Sequence, residues 1–96
     1  MVGDNNTANA FRIGGIEAMV SDPDQIIKDI DLLITREDAG LILITYDLAI
    51  YIKDKISDVN LNKPKPIIIE IPRLDDERGF GKSIISYVTE ALGISI

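Results

Sequence analysis

Hydrophobic positions along the chain follow two alternating patterns: short uninterrupted apolar runs, and longer segments in which apolar residues recur every three or four positions. The run LILIT at 41–45 and the run PIIIEIP at 66–72 have the length of strands. Pro66 and Pro72 enclose the second run, and proline suits the ends of a strand because it donates no hydrogen bond to a sheet. Since both runs are apolar on both faces, they are typical of parallel strands covered by helices on two sides.

Three segments show helical periodicity. The first follows Ser21 or Asp22, either of which can cap a helix, and Pro23 suits its first turn. The second lies within TYDLAIYIKDKI at 45–56, and the third covers 83–92 before a terminating glycine. The apolar stripe predicted for the first helix consists of Ile26, Ile27, Ile30, Leu33 and Ile34; that of the second consists of Leu48, Ile52 and Ile56, with Ala49 beside them.

The first twenty residues predict the end of a strand, a short helix through Phe11, and a second strand at 16–20. The element order is therefore β-α-β-α-β-α-β-α. Helical crossovers between parallel strands predict an α/β fold, a Rossmann-like or flavodoxin-like open parallel four-stranded sheet with helices on both faces. We expect a single domain over 1–96, in which a loop at 72–82 leads to the C-terminal helix at 83–92.

Composition restricts the partners and the chemistry. The chain has 96 residues, a formal net charge of −6, no cysteine and no histidine. The acidic balance disfavours nucleic acid and anionic membrane surfaces, which bind basic faces. The missing cysteine and histidine exclude disulfides, thiolate chemistry and Cys/His metal sites. No apolar run approaches the ~20 residues of a membrane-spanning helix, and no signal peptide is visible, so we expect a cytoplasmic protein.

The segment RGFGKS at 78–83 resembles the end of a phosphate-binding loop. A P-loop requires a glycine five residues before Gly81, where this chain has Asp76, whose carboxylate would repel phosphate. The segment also lies well beyond the nearest predicted strand. We therefore interpret it as a turn that leads into a helix capped by Ser83, and we expect no bound nucleotide or other cofactor.

A phosphoacceptor receiver domain is a second possible function for a small α/β chain with acidic loops. Its Mg²⁺ site needs several carboxylates after the first strand, where this chain has only Asp4. It also needs an aspartate at the tip of the third strand, whereas Asp47 falls two positions into the next helix, where it suits the positive end of the helix dipole. We predict no catalytic residues and no metal site.

The stretch GDNNTANAFRIGGIEA at 3–18 resembles the opening of the F subunit of the V-type (V/A-type, archaeal and bacterial) rotary ATPases. Further matches are EDAGLILITYDLA at 37–49, KPIIIEIP at 65–72, and a final helix that ends in Ala-x-Gly at 91–93. Only two residues precede Gly3, fewer than is usual in the family, so we expect a first strand that is very short or truncated and that leaves sheet edges unpaired. The family's opening positions are occupied by Gly3, Asp4, Phe11, Arg12, Ile13 and Gly15.

The resemblance implies a non-catalytic subunit of the central rotor stalk. Such subunits bind the D subunit of the stalk, a long coiled coil, couple ATP hydrolysis or synthesis to proton or sodium ion transport, and contact the membrane only through the complex. We expect Phe11 in the core and Arg12 at the interface with the coiled coil. Lys82, Tyr87 and Glu90 on the last helix are the candidates for contact with the catalytic head. A receiver-like signalling module and a flavodoxin-like small-molecule binder remain the alternatives.

Overall fold

The computed structural model describes residues 1–75. Its four strands are all parallel and lie in the order β2-β1-β3-β4. Helices cover both faces of this open sheet, which confirms the predicted fold class. The strands are β1 (Val2–Gly3), β2 (Met19–Val20), β3 (Leu41–Thr45) and β4 (Ile67–Ile71); the helices are α1 (Asn5–Ile13), α2 (Ile26–Ile34), α3 (Tyr46–Ala49) and α4 (Lys53–Asn62). The predicted loop and helix at 72–82 and 83–92 lie largely or wholly outside the described residues.

The strands differ greatly in length. β3 and β4 pair in register over five residues each. β3 begins and ends where the sequence predicts, and β4 is one residue shorter at each end than the predicted run at 66–72. β1 has only two residues: it pairs with β2 at two positions and with β3 only through Val2, opposite Ile44. The expectation of a very short first strand is therefore confirmed.

Within the described part of the chain, the buried apolar side chains form one cluster on each face of the sheet. On the α1 face, Phe11 packs with Leu43 and Ile71 and is 1% exposed, as predicted. On the opposite face, side chains of α2, α3 and α4 pack against the other side of the strands. The buried members of this second cluster are Val2, Ile26, Ile30, Ile42, Ile44, Leu48, Ala49, Ile52, Ile56, Val59 and Ile68.

Helix α2 begins at Ile26, several residues after Ser21 and Asp22, the two caps that the sequence predicts. The Oδ1 atom of Asp22 accepts hydrogen bonds from the backbone N–H groups of Asp24 and Gln25, each at 2.9 Å, so Asp22 closes a turn just before the helix. Four members of the predicted stripe are buried or half-buried. The prediction for Ile27 is wrong: its side chain is 56% exposed because it lies on the edge of the stripe.

The single helix predicted within 45–56 is instead two helices, α3 and α4, that meet at a bend. Ile52 adopts φ −135° and ψ 28°, outside the helical region, and α4 begins after it. The run Ile50, Tyr51, Ile52 consists of β-branched and aromatic residues, which stabilise a helix weakly. The bend keeps Leu48, Ile52 and Ile56 buried, so the stripe is correct although the helix is interrupted.

Strand β4 is more exposed than its apolar sequence predicts. Ile68 and Ile71 are buried, whereas Ile67 and Ile69 are 51% and 45% exposed. The side-chain amide of Asn60, on α4, covers the outer edge of β4: it donates to the carbonyl of Ile68 at 2.9 Å and accepts from the N–H of Ile68 at 2.8 Å. These two bonds satisfy backbone groups of an edge strand that would otherwise be available for pairing.

Candidate functional site

The strand order reverses between β1 and β3, and open α/β sheets bind ligands at the carboxyl ends of the strands beside such a reversal. Four side chains with polar atoms meet there. Asp4 follows β1, Thr45 ends β3, and Asp47 lies in the first turn of α3. Arg73 follows β4 after one proline. This edge of the sheet is therefore the natural place to look for a binding site.

The guanidinium of Arg73 lies between the carboxylates. Its Nε atom is 3.6 Å from Oδ1 of Asp4, and one terminal nitrogen is 3.4 Å from Oδ2 of Asp47. Asp75 holds the same guanidinium through two hydrogen bonds of 3.0 and 3.1 Å. One arginine thus connects the ends of β1 and β3 to the segment that follows β4.

Asp4 also caps α1. Its Oδ2 atom accepts a hydrogen bond from the N–H of Thr7 at 3.2 Å, and the hydroxyl of Thr7 accepts one from the N–H of Leu74 at 2.9 Å. Partial burial disfavours the ionised Asp4 carboxyl, but hydrogen bonding to Thr7 and the charge of Arg73 outweigh it and lower its pKa. Although burial acts against the Arg73 cation, the neighbouring carboxylates raise its pKa above the ordinary value.

This arrangement does not fit a phosphate or a Mg²⁺ ion. Three carboxylates surround one cation, so an added anion would be repelled. Mg²⁺ needs several oxygen ligands, and the position between Asp4 and Asp47 is taken by Arg73. Within residues 1–75, no group of three or more acidic side chains is placed to hold a metal ion. Arg73 and the carboxylates of Asp4, Asp47 and Asp75 therefore form an ion-pair network across the carboxyl edge of the sheet, which we call the arginine clasp.

Close backbone packing adds to this clasp. A Cβ atom on Gly3 would lie 2.7 Å from Cγ2 of Thr45, well inside van der Waals contact. Thr45 is fully buried, and its hydroxyl has no hydrogen-bond partner among residues 1–75. Within the same residues, one oxygen of Asp4 and one of Asp47 are also buried without a partner. The glycine of the opening motif is therefore required by the approach of β1 to β3.

The sequence patterns did not predict that Arg73 joins Asp4 and Asp47. The sequence nevertheless contained a signal for this contact. Arg73 comes directly after the Pro72 that ends the last predicted strand, and the carboxyl ends of parallel strands share one edge. The position of Asp47 in the first turn of a helix was predicted correctly.

Arg12, the predicted partner-binding residue of the first helix, lies at the exposed end of α1. Its guanidinium donates to Oδ1 of Asn9 at 3.0 Å and to the carbonyl of Ala18 at 2.9 Å, so its orientation is fixed by the chain itself. The next residue, Ile13, is 89% exposed, the most exposed large apolar side chain in the described part. The other predicted contact residues, Lys82, Tyr87 and Glu90, lie outside the described residues.

None of the helices between residues 1 and 75 has the length and apolar character required to cross a lipid bilayer. A sequence model of the family described as "ATP synthase (F/14-kDa) subunit" matches residues 1–88. The chain belongs to this family. Its members are subunits of ATP synthases, and the F subunit is not the catalytic one.

Three relatives agree with the family model, and each is named as the F subunit of an A-type ATP synthase. The protein of Methanocaldococcus jannaschii is 30% identical over 98 residues, and that of Thermococcus kodakarensis is 32% identical over 102. The protein of Pyrococcus abyssi is 35% identical over 105 residues. Each match covers 100% of this chain and 94% or 95% of the relative. The family predicted from the opening motif is therefore confirmed.

Proposed function

We propose that the chain is a non-catalytic subunit of the central rotor stalk of a V/A-type rotary ATPase, located on the cytoplasmic side of the membrane. It binds the coiled-coil D subunit, turns with it, and couples ATP hydrolysis or synthesis to the transport of protons or sodium ions. The observation that carries the proposal is the match to F subunits of ATP synthases along the whole chain. The arginine clasp supports the proposal, since Arg73 occupies the edge of the sheet where such folds bind ligands.

The end of α1 is the surface that we propose for the coiled-coil partner. Ile13 presents an apolar side chain that is 89% exposed, and Arg12 lies beside it in a fixed orientation. An exposed apolar side chain next to an arginine is typical of the anchors of protein interfaces. Because Arg12 is already bonded to Asn9 and Ala18, it can contact a partner with little further loss of side-chain entropy.

The proposal is tested by co-expression with the coiled-coil D subunit from the same genome. Size-exclusion chromatography and native mass spectrometry should then show a stable one-to-one complex. If the two proteins elute separately, although each is folded by circular dichroism, the assignment to the rotor stalk is wrong.

We also propose that the C-terminal helix contacts the catalytic head through Lys82, Tyr87 and Glu90. Replacing these three residues together by alanine should leave binding to the coiled coil unchanged and should alter the ATPase rate of the reconstituted complex. An unchanged rate in complexes that contain a full complement of the variant would contradict this contact.

A further inference from the structure

The chain is attached to α1 as soon as it leaves β4. This strand ends at Ile71, and shortly afterwards the backbone N–H of Leu74 donates to Oγ1 of Thr7 at 2.9 Å. Thr7 lies in the first turn of α1 and is 1% exposed. We call residues 72–75 the exit segment. Its bond to Thr7 joins two parts of the chain that are 67 positions apart.

Arg73 makes a second attachment to the same end of α1. Its Nε atom lies 3.6 Å from Oδ1 of Asp4, and Asp4 caps α1 by accepting from the N–H of Thr7. Asp75 orients the guanidinium through two hydrogen bonds of its own. Two successive residues of the exit segment thus contact the N-cap and the first turn of one helix. The position of the exit segment therefore depends on α1 as well as on β4.

The strand order makes this attachment a bridge across the sheet. α1 follows β1, and β3 lies between β1 and β4. Neighbouring strands are about 4.8 Å apart, so β4 and β1 are separated by about 10 Å. Three extended residues also span about 10 Å, which leaves the exit segment little slack. The chain therefore crosses the carboxyl end of β3 before it continues beyond Asp75.

The contact with Leu74 explains why position 7 is a threonine. Valine has the same shape, and a buried hydroxyl is unfavourable unless it is hydrogen-bonded. Within residues 1–75, the buried polar side chains are Thr7 and Thr45. The hydroxyl of Thr45 has no partner in this part of the chain, whereas that of Thr7 accepts from Leu74. The bond that distinguishes Thr7 is thus the one that holds the exit segment.

We infer that Thr7 is a positioning residue for the contact between the C-terminal segment and the catalytic head. Its hydroxyl, together with the carboxylate of Asp4, holds the exit segment at the first turn of α1. This attachment sets the place from which the chain continues beyond Asp75. Because Thr7 is buried, it acts through the exit segment rather than by touching the head. The inference rests on the head contact proposed above.

The first test measures hydrogen exchange at the amide of Leu74 in the isolated full-length chain. Thr7→Val keeps the shape of the side chain and removes the acceptor, so exchange at Leu74 should become at least about tenfold faster. Thr7→Ser keeps the hydroxyl and should stay within about twofold of wild type. The amide of Ile69, which faces β3 as that of Ile67 does, reports opening of the strand and should change much less. Unchanged exchange at Leu74, or equal acceleration at Leu74 and Ile69, would overturn the inference.

Thr45→Val is the matched control, because it makes the same substitution at a second buried threonine on the same edge of the sheet. Within residues 1–75, the hydroxyl of Thr45 makes no bond to the exit segment. Exchange at Leu74 should therefore stay within about twofold of wild type in this variant. If Thr45→Val accelerates it as much as Thr7→Val does, loosening of the whole edge is responsible and the inference is wrong.

The second test uses the reconstituted complex. Thr7→Val should still form a one-to-one complex with the coiled coil, since the end of α1 is unchanged. Its ATPase rate should change at least about twofold, in the same direction as that of the triple alanine variant at Lys82, Tyr87 and Glu90. Thr7→Ser should keep the wild-type rate.

The two variants of the complex separate failure of this inference from failure of the proposed function. If the triple alanine variant changes the ATPase rate and Thr7→Val does not, the positioning role is wrong although the head contact stands. If neither variant changes the rate, the head contact itself is wrong, and the positioning role falls with it.

Discussion

The amide of Asn60 provides the most direct test of how the edge of this sheet is protected. Its two hydrogen bonds to Ile68 are 2.8 and 2.9 Å long, and Ile68 is only 3% exposed. Replacing Asn60 by alanine removes both bonds and leaves an N–H and a carbonyl of β4 without these partners. The exposed strand edge should also promote association of the variant at high concentration.

The expected loss follows from these contacts. Each hydrogen bond contributes about 0.5–1.5 kcal/mol net, so two contribute about 1–3 kcal/mol. Alanine stabilises a helix by up to about 0.7 kcal/mol more than asparagine, which offsets part of this loss. We expect the Asn60→Ala variant to be destabilised by about 1.5 kcal/mol once this gain is subtracted. For a domain of this size, that corresponds to a fall of roughly 6–12 °C in melting temperature.

Asn62 provides a matched control on the same helix. Within residues 1–75, its side chain donates a single exposed hydrogen bond, to Asp58 at 2.8 Å, and Asn62→Ala makes the same substitution at the last residue of the helix. Urea denaturation followed by circular dichroism measures both variants, and an unchanged m-value ensures that the free energies are comparable. Equal free energies of unfolding for the two variants, within about 0.5 kcal/mol, would refute the role of Asn60 at the strand edge.

Two further predictions concern Gly3 in β1 and Asp4 in the arginine clasp. Gly3→Ala should destabilise the fold by about 1–3 kcal/mol in urea denaturation because its Cβ meets the methyl group of Thr45 at 2.7 Å. The Cβ atom of Gly40→Ala would meet no other described residue within 4 Å, so this variant should be neutral or slightly stabilising, and an equal effect of both variants would contradict the packing argument. Asp4→Asn keeps the helix cap but loses the negative charge near Arg73. It should lower the free energy of unfolding by up to about 1 kcal/mol at neutral pH. Since the folded state lowers the pKa of Asp4, this contribution is present above about pH 4 and is lost below it. The melting temperatures of wild type and Asp4→Asn should therefore converge progressively as the pH falls below about 4, and a difference that stays constant with pH would exclude the carboxylate as its source.

The parts of the fold that depend on local patterns could be predicted from the sequence. The bounds of β3 follow from a continuous apolar run, and burial of Phe11 follows from its aromatic character. The bend at Ile52 could not be predicted because the 3.6-residue periodicity continues through it, and only tertiary packing decides between one helix and two. The exposure of Ile67 was missed for a similar reason, since an apolar residue in a strand does not reveal whether its face is covered.

The arrangement of the clasp depended on topology more than on composition. Asp4, Asp47 and Arg73 are far apart in the sequence, and they meet only because β1 lies beside β3 and β3 beside β4. The role of Asn60 was hidden as well, since an asparagine in a helix carries no signal that it pairs with a strand. The local patterns did not indicate a family. The resemblance to F subunits did, and the match along the chain confirms that assignment.

Titration calorimetry with the coiled-coil D subunit is the measurement that tests the proposed rotor role most directly. The wild-type chain should bind the coiled coil with one-to-one stoichiometry. Ile13→Asp and Arg12→Glu should each weaken binding at least about tenfold, corresponding to roughly 1.4 kcal/mol. Lys28→Glu, a charge reversal on the exposed face of α2, should bind as wild type does. Absence of binding by the folded wild-type chain would contradict the rotor role, and equal affinities for all four proteins would exclude the end of α1 as the interface.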